Sequence, residues 1–141
     1  MTHKKIHLRV ISQEAVLLTT DVDSLTLPTS TGDITVLPGH AMLFSQVQPG
    51  HLVYRDKDDE YSMVVSEGFI DFSPGNHVTV MVDSGVLARD VSVEKAQQAI
   101  EDAQETMSQT QDQRELMMAE ASLRQAMLEI KLAQKTRKSS I

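Results

Sequence analysis

With 141 residues, 40% of them hydrophobic and 23% charged, the chain has room for one ordinary folded domain plus a short appendage, which excludes two large domains and wholesale disorder. A formal net charge of −7 argues against general attraction to nucleic-acid phosphates, and with no cysteine there is no disulfide, thiolate metal site or cysteine nucleophile. No apolar run approaches the roughly 18 residues that read as a membrane span, so direct membrane insertion is not expected.

Taken in chain order, short β-branched and apolar segments recur between turn residues at 6–11, 22–27, 34–37, 52–54, 61–65, 69–72 and 78–82. This is the spacing of strands. Ile6, Leu8 and Val10 alternate with His7 and Arg9, and Val78, Val80 and Val82 alternate with Thr79 and Met81. Such strands bury one face and wet the other, and antiparallel pairing is expected. Three prolines directly precede glycine, at Pro38-Gly39, Pro49-Gly50 and Pro74-Gly75, and predict type II turns. Many short strands joined by tight turns imply a β-sandwich or flattened barrel.

All six Gly, all four Pro and all five Phe and Tyr residues fall at or before Gly85, so the architecture changes near there. The expected division is a β-sandwich domain over 1–88 and an α-helical domain over 89–141. Ser92 can accept hydrogen bonds from the first free N–H groups of a helix, with Glu94 in the first turn where the dipole favours negative charge. Val93, Ala96, Ile100, Ala103 and Met107 then alternate spacings of three and four, forming one stripe. Polar residues 108–113 interrupt it. A second stripe follows at Leu116, Ala119, Leu123, Ala126, Ile130 and Ala133, and two helices joined so briefly pack antiparallel.

Met117, Met118, Met127 and Leu128 lie outside this second seam and widen its apolar surface beyond what one partner helix needs. Glu94, Glu101, Asp102 and Glu105 load the first helix, whereas Arg124, Lys131, Lys135, Arg137 and Lys138 load the second, so attraction between the helices is expected.

Chemistry has little to stand on. The phosphate loop, the dinucleotide fingerprint, the zinc-protease motif and the nucleophile elbow are all missing from the sequence. His3 and His7 are four apart in an extended segment, where that spacing does not aim both rings at one ion; they read as solvent-facing, and no metal site is expected. His51 and His77 read as surface residues beside the Pro-Gly turns. Asp56, Asp58, Asp59 and Glu60 lack the spaced pattern of a calcium loop and read as a solvated hairpin tip.

The run Gly32-Asp33-Ile34-Thr35-Val36-Leu37-Pro38-Gly39-His40-Ala41-Met42-Leu43, followed by Val47-Gln48-Pro49-Gly50, by Glu67-Gly68-Phe69-Ile70-Asp71-Phe72 and by Pro74-Gly75-Asn76, resembles the epsilon subunit of bacterial F-type ATP synthase in order and spacing. The resemblance covers essentially the whole chain. It implies a non-catalytic rotor role in the central stalk of a proton- or sodium-translocating synthase. It further implies the gamma subunit and the c-ring as partners, and a peripheral position on the cytoplasmic face of the bacterial inner membrane. By the same resemblance Gly32, Asp33, Pro38, Gly39 and His40 belong to the region facing the ring and gamma. The alternative for Asp33 is simple solvation, and for His40 an interior-facing turn residue.

The hairpin resembles the family's regulatory element, which in some members extends along gamma and restrains ATP hydrolysis. Arg124, Lys131, Lys135 and Arg137 would then meet acidic segments of the alpha and beta catalytic subunits. The alternative is a hairpin that stays folded and only buttresses the sandwich. Some members bind ATP here through an acid-x-x-Arg-Ala motif and further arginines. In this chain Glu94 matches the acid, but Gln97 and Gln98 replace Arg and Ala, and the corresponding second-helix positions are Met118, Gln125 and Glu129. Arginine is what grips phosphate bidentately, so weak or absent ATP binding is expected and no cofactor is implied. Glu67 is a further departure, standing where the family often has Gly before Gly68. The competing reading from another class is a stand-alone small-ligand sensor with a regulatory hairpin.

Overall fold

In the computed structural model, which describes residues 4–139 and side chains as far as residue 134, alternation becomes ten strands. They are β1 (Ile6–Ile11), β2 (Val16–Val22), β3 (Ser24–Thr29), β4 (Gly32–Val36), β5 (Leu43–Val47), β6 (Gly50–Asp56), β7 (Asp59–Val65), β8 (Gly68–Ser73), β9 (His77–Val82) and β10 (Gly85–Leu87). The strand order is β10-β7-β6-β3-β5-β8-β9-β1-β2, with β4 paired to β3. Ile6, Leu8, Val10, Leu25, Leu27, Leu52, Met63, Ile70, Val78 and Val80 are almost wholly buried. Each sits at the inward phase of its strand, so the folded sheet encloses one core. This is the sandwich expected from the residues, and burial of that many large apolar side chains is its main stabilising term.

Three strands escape the sequence pattern. β2 has no clean alternation, β5 carries Ser45 and Gln46 among its five residues, and β10 has only three residues. Pairing also departs from expectation at one seam. β1 runs antiparallel to β2 but parallel to β9, with His7 opposite His77 and Leu8 opposite Val78. Among the described residues the pairs β3–β4, β3–β5, β3–β6, β5–β8, β6–β7 and β8–β9 are antiparallel.

Two of the three Pro-Gly pairs turn as expected. Gly39 and Gly75 take φ of 83° and 85°, the left-handed region that glycine enters without strain. Gly50 does not: it opens β6, and a Cβ there would meet the Pro28 ring at 3.0 Å. Its glycine serves close approach rather than turn geometry. At the opposite corner Asp23 accepts from the Lys57 N–H at 2.6 Å, and Lys5 contacts Asp56 and lies 3.8 Å from Asp23. The hydrogen bond to Asp56 holds the Lys5 amine above its ordinary pKa, with the Asp23 charge adding to it.

The chain divides into two compact units, Met1–Val86 and Leu87–Ile141, next to the compositional boundary. In the second unit a single 3-10 turn (Ala88–Asp90) precedes α1 (Val93–Gln109) and α2 (Gln113–Ser139). Ser92 caps α1 by accepting from the Lys95 N–H at 3.3 Å. The connection is shorter than the polar run, because Asp112 already accepts from Arg114 N–H through its side chain and from Leu116 N–H through its carbonyl. Ala96 and Ala103 on α1 and Ala119, Ala126 and Ala133 on α2 are buried, so both stripes are covered. Small residues on both seams let the helix axes approach closely. Met117, Met118 and Met127 stay exposed. Among the described residues no ion pair joins α1 to α2, so the expected attraction between oppositely charged helices has no direct contact behind it.

Candidate docking surface of the sandwich

The β3–β4 hairpin turns through Ser30 and Thr31, with Thr29 opposite Gly32. The Thr29 hydroxyl, itself buried, donates to the Gly32 carbonyl at 2.6 Å and accepts from the Thr31 N–H at 3.3 Å. Gly32 takes φ of 116°, a backbone conformation side chains resist. Asp33, opposite Pro28, is exposed and accepts no side-chain bond among the described residues. Gly32 and Asp33 thus form a stiff, acidic, solvent-facing tip.

Pro38, Gly39 and His40 lie beyond the other end of β4, about 16 Å of extended chain away. The Leu37 carbonyl accepts from the His40 N–H at 3.1 Å and closes the turn. Asn76 ties it to the neighbouring Pro74-Gly75 turn: its side-chain oxygen accepts from the Gly39 N–H at 2.8 Å while its carbonyl accepts from the His7 N–H at 2.8 Å. The His40 ring is exposed rather than interior. It lies 5.7 Å from the Phe72 ring and 2.7 Å through Nδ1 from the Ala41 carbonyl. A carbonyl only accepts, so Nδ1 carries a proton and donates to it. The two groups of candidate residues therefore occupy opposite ends of one strand.

Beside the second turn lies a surface that sequence reasoning missed. Phe44 on β5 is 67% exposed and stacks on Phe69 of β8, 46% exposed, with ring centres 5.6 Å apart; Met81 of β9 is the register partner of Phe69. Met42 and Leu37, on the segment leading into β5, are also exposed, at 75% and 54%. Stacked aromatics left in water on an outward strand face are a candidate contact surface. The signal was present in β8, where Ile70 and Phe72 take the inward phase and leave Phe69 outside. An open groove of about 510 Å³ borders the patch, lined partly by Ile11, Gln46, Glu67, Phe69 and Met81. Most of its lining is exposed, which does not suit the enclosing, convergent site of a small-ligand sensor.

On the hairpin, Arg124 and Lys131 are exposed. The side chains of Lys135, Arg137 and Lys138, like His3, lie outside the described residues. Among the described residues no group of three or more His, Cys, Asp or Glu stands in position to hold a metal ion. No described helix is long and apolar enough to cross a membrane.

Residues 5–88 match the family model of the ATP synthase delta/epsilon chain β-sandwich domain. The chain belongs to the ATP synthase epsilon family. The ATP synthase epsilon chain of Chloroflexus aggregans is 33% identical over 92% of each chain, and that of Dehalococcoides mccartyi is 34% identical over 95% of this chain and 96% of its own. Among solved structures, a chain in the Euglena gracilis mitochondrial ATP synthase assembly with its c-ring has 25% identity and a TM-score of 0.69, covering 95% of this chain and 81% of that one. A chain of the Tetrahymena thermophila central stalk and c-ring shares the fold at a TM-score of 0.62 and 12% identity. As an epsilon chain it is a non-catalytic rotor subunit in the part of the synthase peripheral to the membrane. The exposed apolar face accords with that role, since such a subunit works through surfaces that grip neighbours.

Proposed function

We propose that the sandwich joins gamma to the c-ring of a proton- or sodium-translocating synthase on the cytoplasmic face of a bacterial membrane, while the hairpin restrains ATP hydrolysis. The observation that carries the docking part is the Phe44–Phe69–Met81 patch beside the Pro38–Gly39–His40 turn. Apolar aromatic surface suits a permanent protein partner and is assigned to gamma. The acidic tip at Gly32 and Asp33, at the other end of β4, suits polar ring loops. Two contacts at opposite ends of one strand allow torque to pass through a stiff body rather than a hinge.

The hairpin supports restraint through the exposed cations Arg124 and Lys131, with Lys135 and Arg137 following, and through the exposed methionines on α2. Met repacks readily against a new surface, which extension along gamma and contact with the alpha and beta subunits would need. The deciding experiment depletes a cognate catalytic complex of its epsilon subunit and restores either the full chain or residues 1–88. Hydrolysis is expected to be lower with the full chain. Equal hydrolysis with both bound would remove the inhibitory role, and failure of both to bind would overturn the stalk assignment.

ATP binding at the hairpin is proposed to be weak or absent. Gln98 and Gln125 are engaged by acids one turn along their own helices, Asp102 at 2.9 Å and Glu129 at 3.4 Å. These pairs present carboxylates where phosphate would need cations. Calorimetric titration of the full chain with Mg-ATP is expected to show no saturable heat at micromolar ligand; a tight one-to-one site would contradict this.

A further inference from the structure

The parallel seam between β1 and β9 sets His7 directly opposite His77, with ring centres 5.0 Å apart and planes tilted by 33°. On the other side of β1, Asp21 of β2 is the register partner of His7, and its carboxylate lies 2.7 Å from His7 Nδ1. An ionised carboxylate only accepts, so His7 Nδ1 carries a proton and Nε2 is the ring nitrogen left to ligate an ion. A carboxylate fixing the tautomer and orientation of an imidazole in this way is the recurrent support of a metal-ligating histidine. Two imidazoles bound to one tetrahedral zinc, each nitrogen about 2.1 Å from the ion, have ring centres about 5 Å apart. The spacing in this molecule already has that value. Both rings are exposed, so an ion has open access.

We propose that His7 and His77 form an exchangeable site for a divalent transition ion of the zinc class, with Asp21 as the positioning residue and water completing the coordination. In sequence the histidine nearest His7 is His3, which does not share an ion with it; the partner supplied by the fold is His77. With two protein ligands rather than three, the site is weaker than a structural zinc cage and samples the free ion instead of holding it permanently. The nearby Lys5 ammonium is engaged by Asp56 and Asp23, and the Asp21 carboxylate supplies negative charge beside the proposed ion. Occupancy would staple the first strand to the ninth. Because the Asn76 carbonyl takes the His7 N–H and its side chain takes the Gly39 N–H, it would also stiffen the Pro38–His40 turn. The site stands independently of the stalk reading.

The test titrates the full chain, carrying His3→Asn so that the amino-terminal histidine contributes nothing, with zinc chloride. The expected result is saturable one-to-one binding by calorimetry and a melting temperature raised by several degrees at saturation. His77→Asn removes both effects, and Asp21→Asn weakens binding about tenfold. Nitrogen NMR of the histidine rings in the parent chain, which needs no further variant, should show zinc shifting His7 and His77 and leaving His40 unmoved. Binding that persists in His77→Asn, perturbation of His40 in place of His7 and His77, or no saturable binding would each overturn the proposal.

Discussion

Replacing Gly68 with alanine is expected to unfold the sandwich or leave it barely stable. A Cβ at that position would lie 1.9 Å from the Met81 carbonyl oxygen and 2.9 Å from both the Met81 carbonyl carbon and Val82 Cα. These are backbone atoms, so no rotamer change relieves the overlap. Gly68 is also the register partner of Val82 and of Val47, which makes it the first rung of two ladders at once. Moving the strand away breaks both pairings and lifts Ile70, wholly buried, out of its place. A loss above about 4 kcal/mol belongs to this class of change, a large part of the stability of a domain this size. Thermal melting should show the transition lowered by tens of degrees or absent, and a variant melting like the parent would mean that the strand spacing is misread. Glu67, the departure from the family beside this glycine, is exposed, and its carbonyl accepts from the Asp83 N–H at 3.3 Å. The glycine that the close approach demands is therefore Gly68 itself.

The double substitution Phe44→Asp with Phe69→Asp should have the opposite signature: a sandwich that folds and no longer assembles. Both rings are largely outside the core, so their loss costs little beyond one aromatic stack of about 1 kcal/mol. At an interface, buried aromatics carry about 2 to 4 kcal/mol each, and burying a new carboxylate adds to the penalty. Binding to a complex depleted of epsilon should weaken by about 1000-fold or more. Circular dichroism and melting close to the parent, together with loss of co-purification with gamma, are the expected results. Unchanged assembly would assign the patch to some other contact.

The residues that announced themselves in the sequence were those with local causes. Ser92 before Glu94 signals a helix start because capping involves only neighbouring atoms, and the two apolar stripes follow from helical period. β1 and β9 were legible because each keeps one phase buried. β2 and β5 were not, since Thr19, Thr20, Ser45 and Gln46 blur the alternation. Pro49-Gly50 looked like its two companions, yet Gly50 answers to the Pro28 ring from a distant strand, a relation that local sequence does not carry. The candidate site divides in the same way. Pro38, Gly39 and His40 stood out as a turn, whereas the Phe44–Phe69 stack and the His7–His77 pair exist only because strands far apart in sequence become neighbours.

The parallel seam governs how this chain must fold as it is made. β1 waits for β9, where His77, the partner of His7, lies seventy positions later. At about 5 to 20 residues per second, the ribosome takes several seconds to supply that partner. Until then one edge of β1 has only β2 beside it, and its other edge presents unpaired N–H and C=O groups. His7 and Arg9 on this strand, with Lys4 and Lys5 just before it, are polar and partly cationic and deter other chains from adding to that edge. The charged amino-terminal segment thus protects an unfinished barrel during synthesis, before it serves any finished machine.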